Sequence, residues 1–281
     1  MVDQGTVHRA ADVLFVAQPS VSHSLRRLEA ELGSELFLRR GRGLVLSSAG
    51  EALVDPAREI VRLVEVARAT VESVEGLRGG RVTIASMPSQ AVSPLARLIA
   101  EFSATYPAVE VAVVATDRPD DVREALRTGA AELGVLATPL GFDSLDDLQV
   151  LPLESQRFVV VARPDVALPA SGPIDVADLH GLPLIVGQPG TGMRRVADAI
   201  LAATDCHLAV EMEHREALLP LVLSGVGVAV VSESWRRLAD AVGLSVYTLT
   251  SQEMLHVGLV WQQRRLSPAA AAFVSASGRD R

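Results

Sequence analysis

The stretch HRAADVLFVAQPSVSHSLRRLEAELG, residues 8–33, reads as two short helices on either side of an Ala-Gln-Pro turn. In the second, Val21, Leu25, Leu28 and Leu32 recur at steps of four, three and four, which makes one narrow apolar stripe on a helix beginning at Pro19. Proline suits a first helical position, where an N–H would go unpaired in any case. Ser22, His23, Arg26, Arg27 and Ala30 fall on the opposite face. Short polar side chains at the N-terminal end of that face let a helix approach base edges, while the arginines can reach phosphates or guanine. Before the turn, Val7, Ala10, Ala11 and Leu14 form a small-residue helix expected to end near Phe15 and Val16, and Gly33 stands where a left-handed terminator belongs. Two helices with a tight connection are the helix-turn-helix pattern, whose second member enters the major groove of DNA. An ordinary helical hairpin on a surface has the same pattern.

The adjoining segment narrows the choice. LFLRRGRGLVLS, residues 36–47, is two extended runs around Gly41-Arg42-Gly43, a hairpin with a basic tip. Beside a helix-turn-helix such a hairpin is a wing, with Arg42 directed at a DNA backbone or minor groove. From Ser48 onward Leu53, Ala57, Ile60, Val64, Ala67, Val71 and Val74 alternate steps of four and three, a heptad seam on one long helix. Pro56 is expected to bend or interrupt its first turns. The preferred partner of the seam is the same helix of a second copy, rather than the helix's own domain.

Composition agrees. The 281 residues are 49% hydrophobic, enough for a sizeable core, and all 26 basic residues are arginine. Residues 1–80 hold 10 Arg against 11 acidic residues, whereas residues 81–281 hold 16 against 23, so a polyanionic partner must use the N-terminal part. The apolar runs are short or broken by Gly, Pro and charge, and Asp3, Arg9 and Asp12 do not suit a signal peptide, so a cytoplasmic protein without membrane association is expected. The single cysteine, Cys206, reads as a small buried hydrophobe, and the six scattered histidines lack metal-site spacing. Neither a metal nor a cofactor is expected.

The order Arg9-Ala10-Ala11, Gln18-Pro19-Ser20, SLRRLEAELG (24–33), Leu36-Phe37, RRGRG (39–43) and LSSAGEAL (46–53) resembles the LysR-type transcriptional regulators, and the likeness extends over the whole chain. It implies an α/β protein with an N-terminal winged helix-turn-helix (1–47), a linker helix that dimerises (48–77) and a two-lobed, periplasmic-binding-protein-like effector domain (80–281). The first lobe is expected at about 80–155 with 254–281, the second at about 156–253. It further implies double-stranded DNA and a small-molecule effector as partners, a homodimer or homotetramer, and no enzymatic activity. Gln18, Pro19 and Ser22 match the family's DNA-contact positions, as does Arg42 on the wing, with His23 and Arg26 beside them. Departures are His8, where a capping Ser or Thr is usual, Ala17, where a Ser usually precedes the Gln-Pro, at about 1 kcal/mol for each lost cap, and His23, where arginine is common. Family members also begin with a further helix that packs across the pair. Met1 stands just before Gly5-Thr6, so that helix is expected to be missing and Val7, Ala11, Leu14, Leu25 and Leu28 to lose cover, with a start assigned downstream of the true one as the favoured explanation.

Beyond the flexible GLRGG (76–80), strands RVTIASM, VEVAVVAT and AELGVLAT alternate with helices PSQAVSPLARLIAEFSATYP and PDDVREALRTG, which implies a parallel sheet covered on both faces. A second unit comes next through RFVVVAR, LPLIVG, PGTGMRRVADAILAATD and LLPLVLSGVGVAVVSES, and the closing MLHVGLVWQQ and SPAAAAFVSAS are expected to return to the first unit. Two such lobes make a hinged clamp for one small, anionic molecule. Ser86 and Thr116 end strands, while Gly190 and Thr191 open a helix whose N–H groups suit a carboxylate or phosphate. By resemblance Ser86 and Thr116 are effector contacts, with the Gly190-Thr191 loop facing them; helix capping is their plain structural alternative. GQPGTGM lacks the Lys-Ser/Thr of a nucleotide loop. The competing function is a solute-binding protein without regulatory DNA binding, which shares the two lobes but has no use for residues 1–75.

Overall fold

A computed structural model describes residues 1–2, 4–40, 43–72, 79–143, 145–169, 172–264 and 266–278. Contacts divide the chain into Met1–Glu65 and Val66–Arg281.

In the first unit, α1 (Val7–Val13) and α2 (Gln18–Leu32) flank a turn in which Phe15 takes the left-handed conformation, φ 53°. The weak start expected for α1 is corrected: Thr6 is the N-cap, its hydroxyl accepting from the N–H of Arg9 at 3.2 Å. At Ala17 the expectation holds, for α2 has no side-chain cap and starts at Gln18 with proline second. Gly33 stops α2 at φ 67°, returning its N–H to the carbonyl of Glu29. The carboxylate of Glu29 then accepts from the N–H groups of Leu36 (2.8 Å) and Phe37 (3.3 Å), which fixes how the chain leaves α2. The hairpin pairs β1 (Phe37–Arg40) with β2 (Gly43–Leu46), Arg40 opposite Gly43. Its tip, Gly41-Arg42, lies outside the described residues. Ala11 is buried beside Ala10, contrary to the expected loss of cover, because a methyl group is hidden by the α1–α2 contact itself; Leu14 and Leu28 are exposed.

Ser47 closes the hairpin onto the next helix, α3 (Ser48–Glu72). Its hydroxyl donates to the carbonyl of Glu35 (2.6 Å) and accepts from the N–H of Gly50 (3.0 Å). Helix α3 runs through Pro56 without the expected interruption, a single missing N–H in the first turns being insufficient to end it. Along the seam Leu53 and Ala57 are half-buried, whereas Ile60 (62% exposed), Val64 (47%) and Val71 (74%) stand open; Val74 lies outside the described residues.

The second unit holds two five-stranded sheets. In the first, β4 (Glu110–Ala115), β3 (Arg81–Ser86), β5 (Leu133–Thr138), β12 (Leu255–Gln262) and β6 (Leu148–Gln156) lie in that order. In the second the order is β11 (Ser245–Thr248), β7 (Phe158–Ala162), β10 (Val228–Ser232), β8 (Pro183–Gly187) and β9 (His207–Met212). The expected purely parallel pattern is corrected to mixed sheets: β12 runs antiparallel to β5 and β6, and β7 antiparallel to β10 and β11. The cause is connectivity. The chain passes between lobes from β6 straight into β7 and returns from β11 to β12, with no crossover helix to restore direction.

In place of the one long helix expected after β3, a turn α4 (Pro88–Gln90) is separated from α5 (Ala96–Thr105) by a break at Ser93, φ −160° and ψ 136°. The proline at 94 pushes its predecessor out of helical geometry. Helix α6 (Pro119–Thr128) follows β4, and α7 (Gly192–Ala203) follows β8. Two further helices of the second lobe, α8 (Leu218–Leu223) and α9 (Arg236–Ala241), flank β10. The closing helix α10 (Pro268–Ser277) packs on the first lobe, where Phe273 stacks with Phe102 at 5.0 Å between ring centroids. Phe158 lies in the second-lobe sheet, fully buried, and Cys206 is buried with its thiol donating to the carbonyl of Leu179 at 2.7 Å. Among the described residues no helix is long and apolar enough to cross a membrane.

Candidate nucleic-acid interface and effector cleft

The outer face of α2 is uncovered within its unit. Gln18, Pro19, His23 and Arg26 are exposed and Ser22 is half-buried. The two arginines differ: Arg27 is paired with Glu31 at 2.9 Å, whereas Arg26, among the described residues, bonds only the carbonyl of Ser22, one turn back, at 3.2 Å. Arg26 therefore keeps its charge uncompensated on the face that carries Ser22, and Arg27 does not. Arg42 is outside the described residues, so the wing contact has no geometry here; its neighbours Arg39 and Arg40 are exposed on β1.

In the second unit the strand ends β3 and β4 bring Ser86 and Thr116 together, the N–H of Thr116 donating to the carbonyl of Ser86 at 3.1 Å. Neither hydroxyl caps a helix. That of Ser86, 2% exposed, donates to the carbonyl of Met87, and that of Thr116, 8% exposed, has no partner among the described residues. Gly190 and Thr191 precede α7. Thr191 is its N-cap, accepting from the N–H of Arg194 at 3.3 Å. Gly190 has φ +83°, a conformation other residues resist, and a Cβ there would lie 3.7 Å from the guanidinium carbon of Arg118, which is carried on the first lobe before α6.

Between the lobes lies a cavity of about 20 Å³, room for roughly one water. Ser89, Gln90 and Leu255 line it from the first lobe, Thr191, Met193 and Arg215 from the second. Of the four effector positions expected from sequence, Thr191 lines it, and Ser86, Thr116 and Gly190 do not.

Sequence reasoning missed Arg215. It occupies a short 3-10 turn, Arg215–Ala217, and is 3% exposed. Its only described bond is a long one, 3.5 Å, to the backbone carbonyl of Asp117, and its Nε has no partner among the described residues. Burial pushes this guanidinium below its ordinary pKa, with the Asp117 charge acting weakly in the other direction. The contrast with Arg194 is informative, because that side chain is held by both Asp198 and Glu211, and those bonds raise its pKa. Nothing in EHREALLP distinguishes Arg215 from an ordinary surface arginine. Gln90, 1% exposed, was missed as well, and its Oε1 also lacks a partner among the described residues. Across the same boundary the indole N–H of Trp235 donates to Ser89 at 3.1 Å.

Known proteins match this arrangement from end to end. The bacterial regulatory helix-turn-helix protein, lysR family, matches residues 1–51, and the LysR substrate binding domain matches residues 75–279. The chain belongs to the LysR family of transcriptional regulators. Relatives of this LysR-family regulator include the HTH-type transcriptional regulator YfeR of Shigella flexneri, 29% identical over 94% of this chain and 86% of that protein. The HTH-type transcriptional regulator CbbR of Rhodospirillum rubrum is 27% identical over 95% and 88%. Among solved structures, a full-length OxyR variant from Pseudomonas aeruginosa superposes with a TM-score of 0.72 at 22% identity, covering 98% of this chain and 89% of its own. Full-length CbnR in complex with its target DNA gives 0.59 at 20% identity, covering 99% and 94%. The LysR-family regulator thus combines a DNA-binding helix-turn-helix with an effector-binding domain, and the solute-binding alternative is not favoured, because it leaves residues 1–51 unexplained.

Proposed function

We propose that this regulator binds its operator in the cytoplasm as a homodimer or homotetramer and acts through binding alone, without catalysis. Residues 1–47 read DNA, 48–77 join the copies and 80–281 sense a small anionic metabolite. In the major groove Ser22 and Arg26 face base edges, flanked by Gln18, Pro19 and His23, while Arg42 on the wing holds the backbone. The metabolite enters between the lobes near Thr191 and Gly190, with Ser86 and Thr116 behind it, and biases one arrangement of the assembly over another. The observation that carries this reading is the polar face of α2, with Arg26 free of any carboxylate among the described residues, on the same chain as a two-lobed unit whose cleft holds a small cavity lined by a buried cation.

Binding of the full chain to promoter fragments tests it. Arg42→Ala is expected to weaken binding to all sequences and to lower the salt slope by about one unit. Ser22→Ala is expected to change the ranking of operators instead. If both variants bind every sequence as the parent does, the groove assignment is wrong.

A further inference from the structure

Inside the cleft, two buried polar groups have opposite unmet needs. Among the described residues, Arg215 offers a cationic donor with no carboxylate in ion-pair reach, and Gln90 a carbonyl oxygen with no donor. Both line the same small cavity, one from each lobe, so one compact molecule can meet both. Among the described residues no Asp or Glu lines it, so an ammonium group on the ligand would find no counter-charge there. A single cation suits a single negative charge. The remaining wall is apolar, through Met193 and Leu255.

Resting on the reading of the cleft as the effector site, we propose that the effector is a short 2-hydroxy carboxylate. Its carboxylate pairs with Arg215, its hydroxyl donates to Gln90, and a small apolar substituent meets Met193 and Leu255. The space holds about one water, so the lobes must part from this arrangement to admit the ligand. Trp235, joined to Ser89 across the same boundary, reports that movement.

The test uses the full chain, tryptophan fluorescence and melting temperature, with glycolate, glycerate and both lactates as probes. Propionate lacks the hydroxyl, alanine replaces it with ammonium, and 1,2-propanediol lacks the charge. A 2-hydroxy acid is expected to bind about 10- to 100-fold tighter than propionate, one hydrogen bond beside a charge being the difference, with alanine and the diol weaker still. Gln90→Leu should bring the hydroxy acid down to the level of propionate. Arg215→Met should abolish acid binding while raising the ligand-free melting temperature, since it removes a buried unpaired charge. A lower melting temperature in Arg215→Met, equal binding of propionate, tighter binding of alanine, or no response to any 2-hydroxy acid overturns the proposal. A neutral or phosphorylated metabolite that binds, and loses binding in Thr191→Trp, overturns the ligand class while the cleft reading stands. If no compound of a general metabolite set binds, both fail.

Discussion

Ile60→Asp combined with Val64→Asp is expected to reduce the protein to single chains of 29.7 kDa. Both positions lie on the seam of α3 and are 62% and 47% exposed in one chain, so neither substitution disturbs the packing of that chain. In a closed seam each would place a carboxylate without a partner in both copies, at about 3 kcal/mol or more apiece, which lowers the association constant by well over about 10⁴-fold. DNA binding should suffer with it. Two half-sites held by one assembly gain from linkage, and losing it weakens operator binding by at least about 100-fold. Light scattering reads the mass and anisotropy the affinity. An unchanged mass rejects the seam as the assembly surface.

Gly50→Ala is expected to destabilise the DNA-binding unit, although the same exchange inside an exposed helix gains up to about 1 kcal/mol from propensity. The difference is space. A Cβ at residue 50 would lie 2.1 Å from the carbonyl oxygen of Leu36 and 3.1 Å from its carbon, both backbone atoms at the entrance to the hairpin. Either α3 or the start of β1 must move, and overpacking of this kind costs about 1–3 kcal/mol. A single small core rarely supplies more than about 3–5 kcal/mol, so operator binding at 37 °C should fall while effector binding persists. A melting temperature at or above that of the parent contradicts the tight approach.

Helix α2 and the hairpin are legible in the sequence because punctuation and periodicity agree: Pro19 opens the helix, Gly33 closes it, and the strands flank a glycine pair. Thr6 carries a readable signal as the cap of α1, in its place three residues before Arg9. The break at Ser93 has one too, in the proline after it. Strand β9 gives no such sign, because HLAVEM mixes polar and small residues, as expected of an edge strand. Ser86 and Thr116 can be found as strand ends, but the direction of their hydroxyls depends on neighbours that no local pattern names. Arg215 and Gln90 are out of reach for the same reason. A charge without a partner is a property of what surrounds it, and residues 90 and 215 come to line one cavity only after two lobes have folded.

Fluorescence anisotropy of the 281-residue chain decides whether it reads a specific DNA sequence. The DNA should be a fragment from upstream of its own coding region, compared with a scrambled fragment of equal length across a salt series. A preference of at least about 10³-fold for the native fragment is expected, with an affinity for both that falls linearly on logarithmic axes as phosphate contacts are screened. Equal affinity for the two fragments at every salt concentration would contradict it.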